Sequence, residues 1–303
     1  MWVRHALAAL ASVIAFLPAA VRTALGIVLG FVAGSVLRIR RSHVEHAMAR
    51  ADVPSPSRTA AAFYASLGRS AIEFLVFVAG KGRALPVVVE PSSEVRLEEL
   101  RARGGSFVLA ASHSGNWDLA AVAVASRVDL TVVTKHLRVS GLDAFWQESR
   151  ARRGVKLVPA AGASKAVAAA LGRGGAVALM VDQVPDGAAT SVRTRFLGAD
   201  VDVDRAPAAL AARHRVPLVV SAARRRSDGV TELSILDVLE PPVSGREAWI
   251  AHASRRATAA LEAFVLAHPT EWLWLHRRWR APRGLRPVRG ARRADGGSLS
   301  VVT

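Results

Sequence analysis

The chain has 303 residues, 51% of them hydrophobic, which is enough to bury a sizeable core in one large domain or in one domain with an appended segment. Its 41 lysines and arginines outnumber 24 aspartates and glutamates, a formal net charge of +17 that bears on anionic partners rather than on fold. With no cysteine present, disulfides, thiolate metal sites and a cysteine nucleophile are all excluded.

The N-terminus is apolar. Ala6 to Val21 is interrupted only by Ser12; after Arg22 a second apolar stretch runs from Thr23 to Leu37, followed by Arg38, Arg40 and Arg41. One continuous helix here would be ~50 Å long at 1.5 Å per residue, against a hydrocarbon core of ~30 Å. A kink at Pro18, or two half-length helices lying in the membrane interface, reconciles the lengths. A signal peptide is an alternative, since Arg4 precedes an apolar region, but the small-residue cleavage pattern is poor. A buried hairpin of a soluble protein is another. The trailing basic cluster favours membrane attachment, with that cluster on the cytoplasmic side.

Next, Phe63, Leu67, Ile72, Leu75 and Val78 predict a helix over Ser57 to Ala79, capped by Ser55 or Ser57 and closed by Gly80. Short β-branched runs follow at Val87–Val89, Phe107–Ala110, Leu130–Val133, Val155–Val158 and Val177–Val181, alternating with segments of helical composition. This rhythm predicts an α/β fold with helices covering a largely parallel sheet. Pro217–Ala222 and Glu232–Val238 add two strands around the polar turn Arg224–Gly229, and a long helix is expected over Arg246 to Ala267. The tail, 281–303, is rich in Arg and Gly, lacks apolar periodicity and is expected to be disordered.

The sharpest local feature is Ser112-His113-Ser114-Gly115-Asn116-Trp117-Asp118, which leaves the strand at Ala110 and enters a helix over Leu119–Ser126. Catalytic groups of open α/β sheets sit beyond the carboxyl ends of the strands. Ser114 and Gly115 allow a tight turn, and Asn116 suits a helix N-cap. His113 would sit in the loop. Asp118, in the first helical turn, would accept one ring N–H and leave the other nitrogen to take a proton. The bland alternative is a capped helix start with a satisfied histidine.

Rival chemistries find little support. No Gly-x-Ser-x-Gly elbow occurs, and Ser112 and Ser114 flank the histidine too closely to serve as one. His43 and His46 lack further metal ligands nearby and are expected to face solvent. Gly172-Arg173-Gly174-Gly175 lacks the Lys-Ser/Thr ending of a phosphate loop and reads as a turn. Nucleic-acid binding has only the net charge in its favour, with the basic residues spread rather than striped.

His113-x4-Asp118 in this setting resembles the His-x4-Asp/Glu block of the lysophospholipid acyltransferase superfamily, and the Gly-Asn-Trp insert resembles its lipid A late (lauroyl/myristoyl) acyltransferase branch, to which phosphatidylinositol mannoside acyltransferases are related. Gly175–Gln183, with its terminal Asp182-Gln183, resembles that branch's strand-then-Asp-Gln segment. Phe196-Leu197-Gly198 followed by Ala208–Val220 resembles its Phe-x-Gly, helix and Pro-Val-Val strand, and Trp274-Leu275-His276-Arg277-Arg278 its closing Trp-x-His-Arg-Arg. Asp200–Asp204, three acids alternating with valines, departs from the pattern. The resemblance spans Met1 to Arg280. It implies a membrane-associating segment over 1–45, an acyltransferase domain over 46–280 and the basic tail beyond.

The reaction so implied is transfer of a fatty acyl chain from acyl carrier protein or acyl-CoA to a hydroxyl of an anionic glycolipid such as a lipid A precursor. It would occur at the cytoplasmic face of the bacterial inner membrane, with no metal or redox cofactor required and no nucleic-acid partner. His113 would be the general base and Asp118 its orienting carboxylate, with backbone N–H groups near Gly115 and a cation receiving the oxyanion. Gly115, Asn116, Lys135, Arg138, Asp182, Gln183 and Arg277 are the expected substrate-binding residues. The alternatives are an acyl-CoA enzyme for another glycolipid or an aminolipid, and a non-catalytic membrane-binding homologue.

Overall fold

The computed structural model of the chain describes residues 2–80, 85–135 and 140–280, so the basic tail lies outside the described residues. The elements in order are α1 (Trp2–Phe16), α2 (Ala19–Phe31) continued by a π-helical turn (Val32–Val36), α3 (Arg41–Arg50), α4 (Pro56–Ala79), β1 (Val87–Val89), α5 (Pro91–Ala102), β2 (Phe107–Ala111), α6 (Trp117–Ala125), β3 (Leu130–Thr134), α7 (Ser140–Ala151), β4 (Lys156–Pro159), α8 (Ser164–Gly172), β5 (Ala176–Met180), β6 (Ser191–Phe196), β7 (Ala199–Asp204), α9 (Ala206–His214), β8 (Leu218–Arg225), β9 (Thr231–Leu239) and α10 (Arg246–Ala267).

Seven strands form one sheet in the order β1-β9-β8-β2-β5-β3-β4. From β8 to β4 every pairing is parallel; β9 runs antiparallel to β8, and β1 lies parallel to β9. The central strands β2, β5 and β8 are thus largely buried on both faces, as a helix-covered parallel sheet requires. Successive residues of β2 divide between two cores. Val108 and Ala110 meet α8, α9 and α10, while Phe107 and Leu109 meet α5 and α6. The acidic run at Asp200–Asp204 is β7, the second strand of a separate antiparallel hairpin with β6.

The N-terminal stretch is two helices broken at Pro18, which occupies the N-cap of α2. α2 lies directly on α4 through glycines spaced four apart. A Cβ on Gly26 would stand 2.6 Å from the Arg69 Cα, one on Gly30 would collide with the Tyr64 carbonyl, and one on Gly68 would collide with the Gly26 carbonyl. Small residues at this spacing let helix backbones touch. The opposite side of the hairpin stays open, with Val13, Phe16, Val28, Phe31, Val36 and Leu37 all more than half exposed. By length and composition alone, Ala19–Val36 and α4 are each long and apolar enough to cross a membrane, and protein buries 44% of the apolar window of α4 against 17% of that in Ala19–Val36.

The close approach makes a directional prediction. Gly68→Ala should cost about 1–3 kcal/mol by forcing the two helices apart. Gly172→Ala, where an added methyl meets nothing within 4 Å, should be neutral or stabilise by up to about 1 kcal/mol. Thermal melting of the two variants in detergent micelles separates the cases.

Candidate active site

The site follows from strand register. Ala111 at the end of β2 pairs with Met180 at the end of β5, and the Val181 N–H still donates to the Ala111 carbonyl at 2.9 Å. Two residues further along each chain, His113 meets Asp182. The Asp182 Oδ1 pairs with the His113 Nδ1 at 2.8 Å, while Oδ2 accepts the His113 backbone N–H at 2.8 Å and the Trp272 indole N–H at 3.0 Å. The Asp182 side chain is fully buried. Burial alone would raise its carboxyl, but the facing His113, with help from His276, outweighs that and holds it well below the usual carboxylate range. An ionised carboxylate only accepts, so Nδ1 carries the hydrogen and Nε2 is left to take a proton.

Two rings stand edge-on to this imidazole, Trp117 at 5.1 Å and His276 at 5.0 Å between centroids. Burial pushes His276 below the ordinary histidine range, against the opposing pull of the Asp182 carboxylate. His113, Asp182 and His276 each offer a ligand atom, all within 4.8 Å of one another. Both Asp182 oxygens and the His113 Nδ1 are already hydrogen-bonded within the site.

The loop carrying His113 is clamped from three directions. Gly115 has φ +53°, and a Cβ there would lie 2.7 Å from the Ala223 carbonyl. Its N–H donates to the Glu271 carbonyl at 2.8 Å, and the Leu273 N–H donates to the His113 carbonyl at 3.0 Å. Asn116 caps α6 by accepting the Leu119 N–H at 3.2 Å and donates its amide to Glu73 at 3.1 Å. Glu73, the single acid on apolar α4, is held by two nitrogens of buried Arg225 at 2.8 and 2.9 Å. Arg225 also reaches Ser66 and Ser70, and its backbone N–H donates to Glu271 at 3.0 Å.

The expected residues therefore divide. Asp118 does not orient His113. The helix begins at Trp117, one residue before it, and turns its carboxylate toward α7, where the Arg150 Nε lies 2.6 Å away and the Trp146 indole N–H 3.0 Å away. Gly115 and Asn116 hold the loop, with their polar groups taken up as described. Lys135 and Gln183 line the cavity beside His113, and Lys135 pairs with Asp186 at 2.9 Å. Arg277 is exposed and does not line the cavity. Its neighbour Arg278 is buried, donates to the Asp202 carbonyl at 2.7 Å and is pushed down to about 10 by burial. Arg138 lies outside the described residues. His43 does not face solvent but reaches the His276 carbonyl at 3.2 Å and packs on Trp279.

Sequence reasoning gave no role to Glu73, Arg225, Glu271 or His276. A lone acid in an apolar helix was the signal for the first of them.

The cavity measures about 620 Å³ and follows the carboxyl ends of β2, β3 and β5. Its walls beyond His113 are mainly aliphatic, with Leu109, Val124, Leu130 and Val132 on the α6 side of the sheet, and Val167 and Leu210 on the other face. Its size is that of a small-molecule site, and its polar lining includes Ser112, His113, Lys135 and Gln183. The family model described as bacterial lipid A biosynthesis acyltransferase matches residues 1–281. Among curated proteins, none matches the chain.

The Asp118–Arg150 pair is buried, with side chains 6% and 9% exposed. Asp118→Ala should therefore cost about 3–5 kcal/mol by leaving the arginine uncompensated. A thermal-melting double-mutant cycle with Arg150→Met should return a coupling of roughly 1 kcal/mol or more. Additive losses would mean that the pair carries no structural load.

Proposed function

Since that match takes in nearly the whole chain, the chain belongs to the bacterial lipid A biosynthesis acyltransferase family, and we propose that it moves a fatty acyl chain from acyl carrier protein or acyl-CoA to a hydroxyl of a lipid A-like glycolipid at the cytoplasmic face of the inner membrane. The observation that carries this reading is a histidine with its Nδ1 held by a buried carboxylate, opening onto an apolar cavity.

His113 acts as the general base. Its Nε2 takes the proton of the acceptor hydroxyl as that oxygen attacks the acyl carbonyl. Asp182 fixes the tautomer and stabilises the imidazolium that forms. The aliphatic walls receive the acyl chain, excluding water that would otherwise compete with the acceptor. Lys135, at the cavity rim, suits the phosphate groups of an anionic acceptor or of the donor's carrier arm.

Membrane association is supported by the exposed apolar side of α1 and α2, where Phe16 is 74% and Phe31 59% exposed, followed directly by the exposed Arg38 and Arg40. An apolar face with a basic margin suits the interface of a bilayer with anionic headgroups. In this reading residues 1–45 form the membrane-associating segment and 46–280 the catalytic domain.

The test is a transfer assay with purified full chain in mixed micelles. Radiolabelled lauroyl, myristoyl and palmitoyl groups are offered as CoA and carrier-protein thioesters, with the tetraacylated glucosamine-disaccharide precursor of lipid A and a panel of other glycolipids as acceptors. Transfer to a glycolipid is expected, and His113→Ala should abolish it. Asp182→Asn should lower kcat by about 10⁴-fold, because the amide oxygen is claimed by the two N–H groups at Oδ2 and its NH₂ then faces the ring and imposes the wrong tautomer. A folded protein that transfers to no acceptor would overturn the reading, and an active His113→Ala variant would overturn the assignment of the base.

A further inference from the structure

Among the described residues, five buried side-chain polar atoms lack a hydrogen-bond partner: Arg22 Nη1, Trp117 Nε1, Gln147 Oε1, His276 Nε2 and Arg278 Nε. A buried N–H left unpaired costs about 1–3 kcal/mol, and folded proteins retain few of them. Two of the five belong to the rings that stand edge-on to His113. Of those two, Trp117 lines the cavity and His276 does not.

The indole N–H is a donor only, so whatever satisfies it must be an acceptor. Acyl transfer supplies such an acceptor beside the base, first as the thioester carbonyl oxygen and then as the oxyanion. Several other donors of the loop are already engaged. Gly115 N–H is bound to the Glu271 carbonyl and Ser114 N–H to the Ser112 carbonyl. The Ser112 and Ser114 hydroxyls bond to each other at 2.9 Å, and the Asn116 amide is bound to Glu73. The Gly115 N–H expected to receive the oxyanion is therefore not available for it.

We infer that Trp117 is a further catalytic residue, its indole N–H donating to the oxyanion of the acyl thioester; this rests on the acyl-transfer reading. As the acceptor oxygen bonds to the carbonyl carbon, its proton passes to His113 Nε2. The carbonyl π pair moves onto oxygen, and the indole edge turns to meet the charge. When the pair returns, the carbon–sulfur bond breaks, the thiolate leaves and takes the proton from the imidazolium, and the ester and free thiol are released. The N–H is closed to water before substrate enters, so it meets the developing charge in a low dielectric, where such a bond is strongest.

The test uses the full chain and the donor–acceptor pair giving the fastest transfer in the panel above. Trp117→Phe removes the N–H and part of the ring; replacing Trp117 with 3-benzothienylalanine keeps the bicyclic shape and exchanges N–H for sulfur. Both should lower kcat by about 100-fold with little change in KM, and the sulfur analogue should melt with the unaltered protein. Full activity in the sulfur analogue overturns the inference, including where Trp117→Phe is impaired, because ring shape would then be what matters. If the unaltered chain transfers to no acceptor, the acyl-transfer reading fails and takes this inference with it; transfer with an unimpaired sulfur analogue fails the inference alone.

Discussion

The Asp182 carboxylate organises the candidate active site. Buried at the carboxyl end of β5, it binds the ring, the backbone N–H of the same histidine and the indole of Trp272, so three segments converge on two oxygens. A buried charge is costly unless it is fully hydrogen-bonded, and these partners meet that cost only when β2, β5 and the C-terminal tryptophan segment are all in place. The same bonds that make the charge tolerable fix the imidazole's tautomer. The geometry proposed for catalysis and local stability are therefore one constraint.

A second layer ties that constraint to the N-terminal helices. Glu73 and Arg225 join α4 to β8, Glu271 receives the Arg225 backbone N–H, and Asn116 links the start of α6 to Glu73. α4 is in turn the helix on which the glycine face of α2 rests. Rigid contacts thus run from the exposed apolar hairpin to the loop carrying His113, which gives the hairpin a mechanical reason to be packed against the α/β sheet rather than tethered to it. The Asp118–Arg150 pair belongs to this supporting layer, bracing α6 against α7.

Much of this was legible in the sequence, because most of it is local. The β-branched runs marked the strands of the main sheet to within a few residues, and the 246–267 helix and the break at Pro18 stand where periodicity and proline chemistry put them. Asn116 caps α6 as expected, and Gly115 takes the positive φ its turn needs. The partner of His113 was harder to read. Asp118 is five residues away in sequence and Asp182 sixty-nine, yet the decisive distance is set by β5 inserting between β2 and β3 in the sheet. Strand order is a property of the whole chain, and no spacing encodes it locally. The same holds for Arg225, whose partners on α4 lie about 150 residues earlier. The alternation of acids and valines at Asp200–Asp204 was a plain period-2 strand, obscured by its charge.

The most direct test of this account is ¹⁵N NMR of the His113 ring at neutral pH. The account requires Nδ1 to carry the hydrogen and Nε2 to be bare, with the two exchanging character in Asp182→Asn and unchanged in Asp118→Asn. A ring whose tautomer follows Asp118 and ignores Asp182 would contradict it.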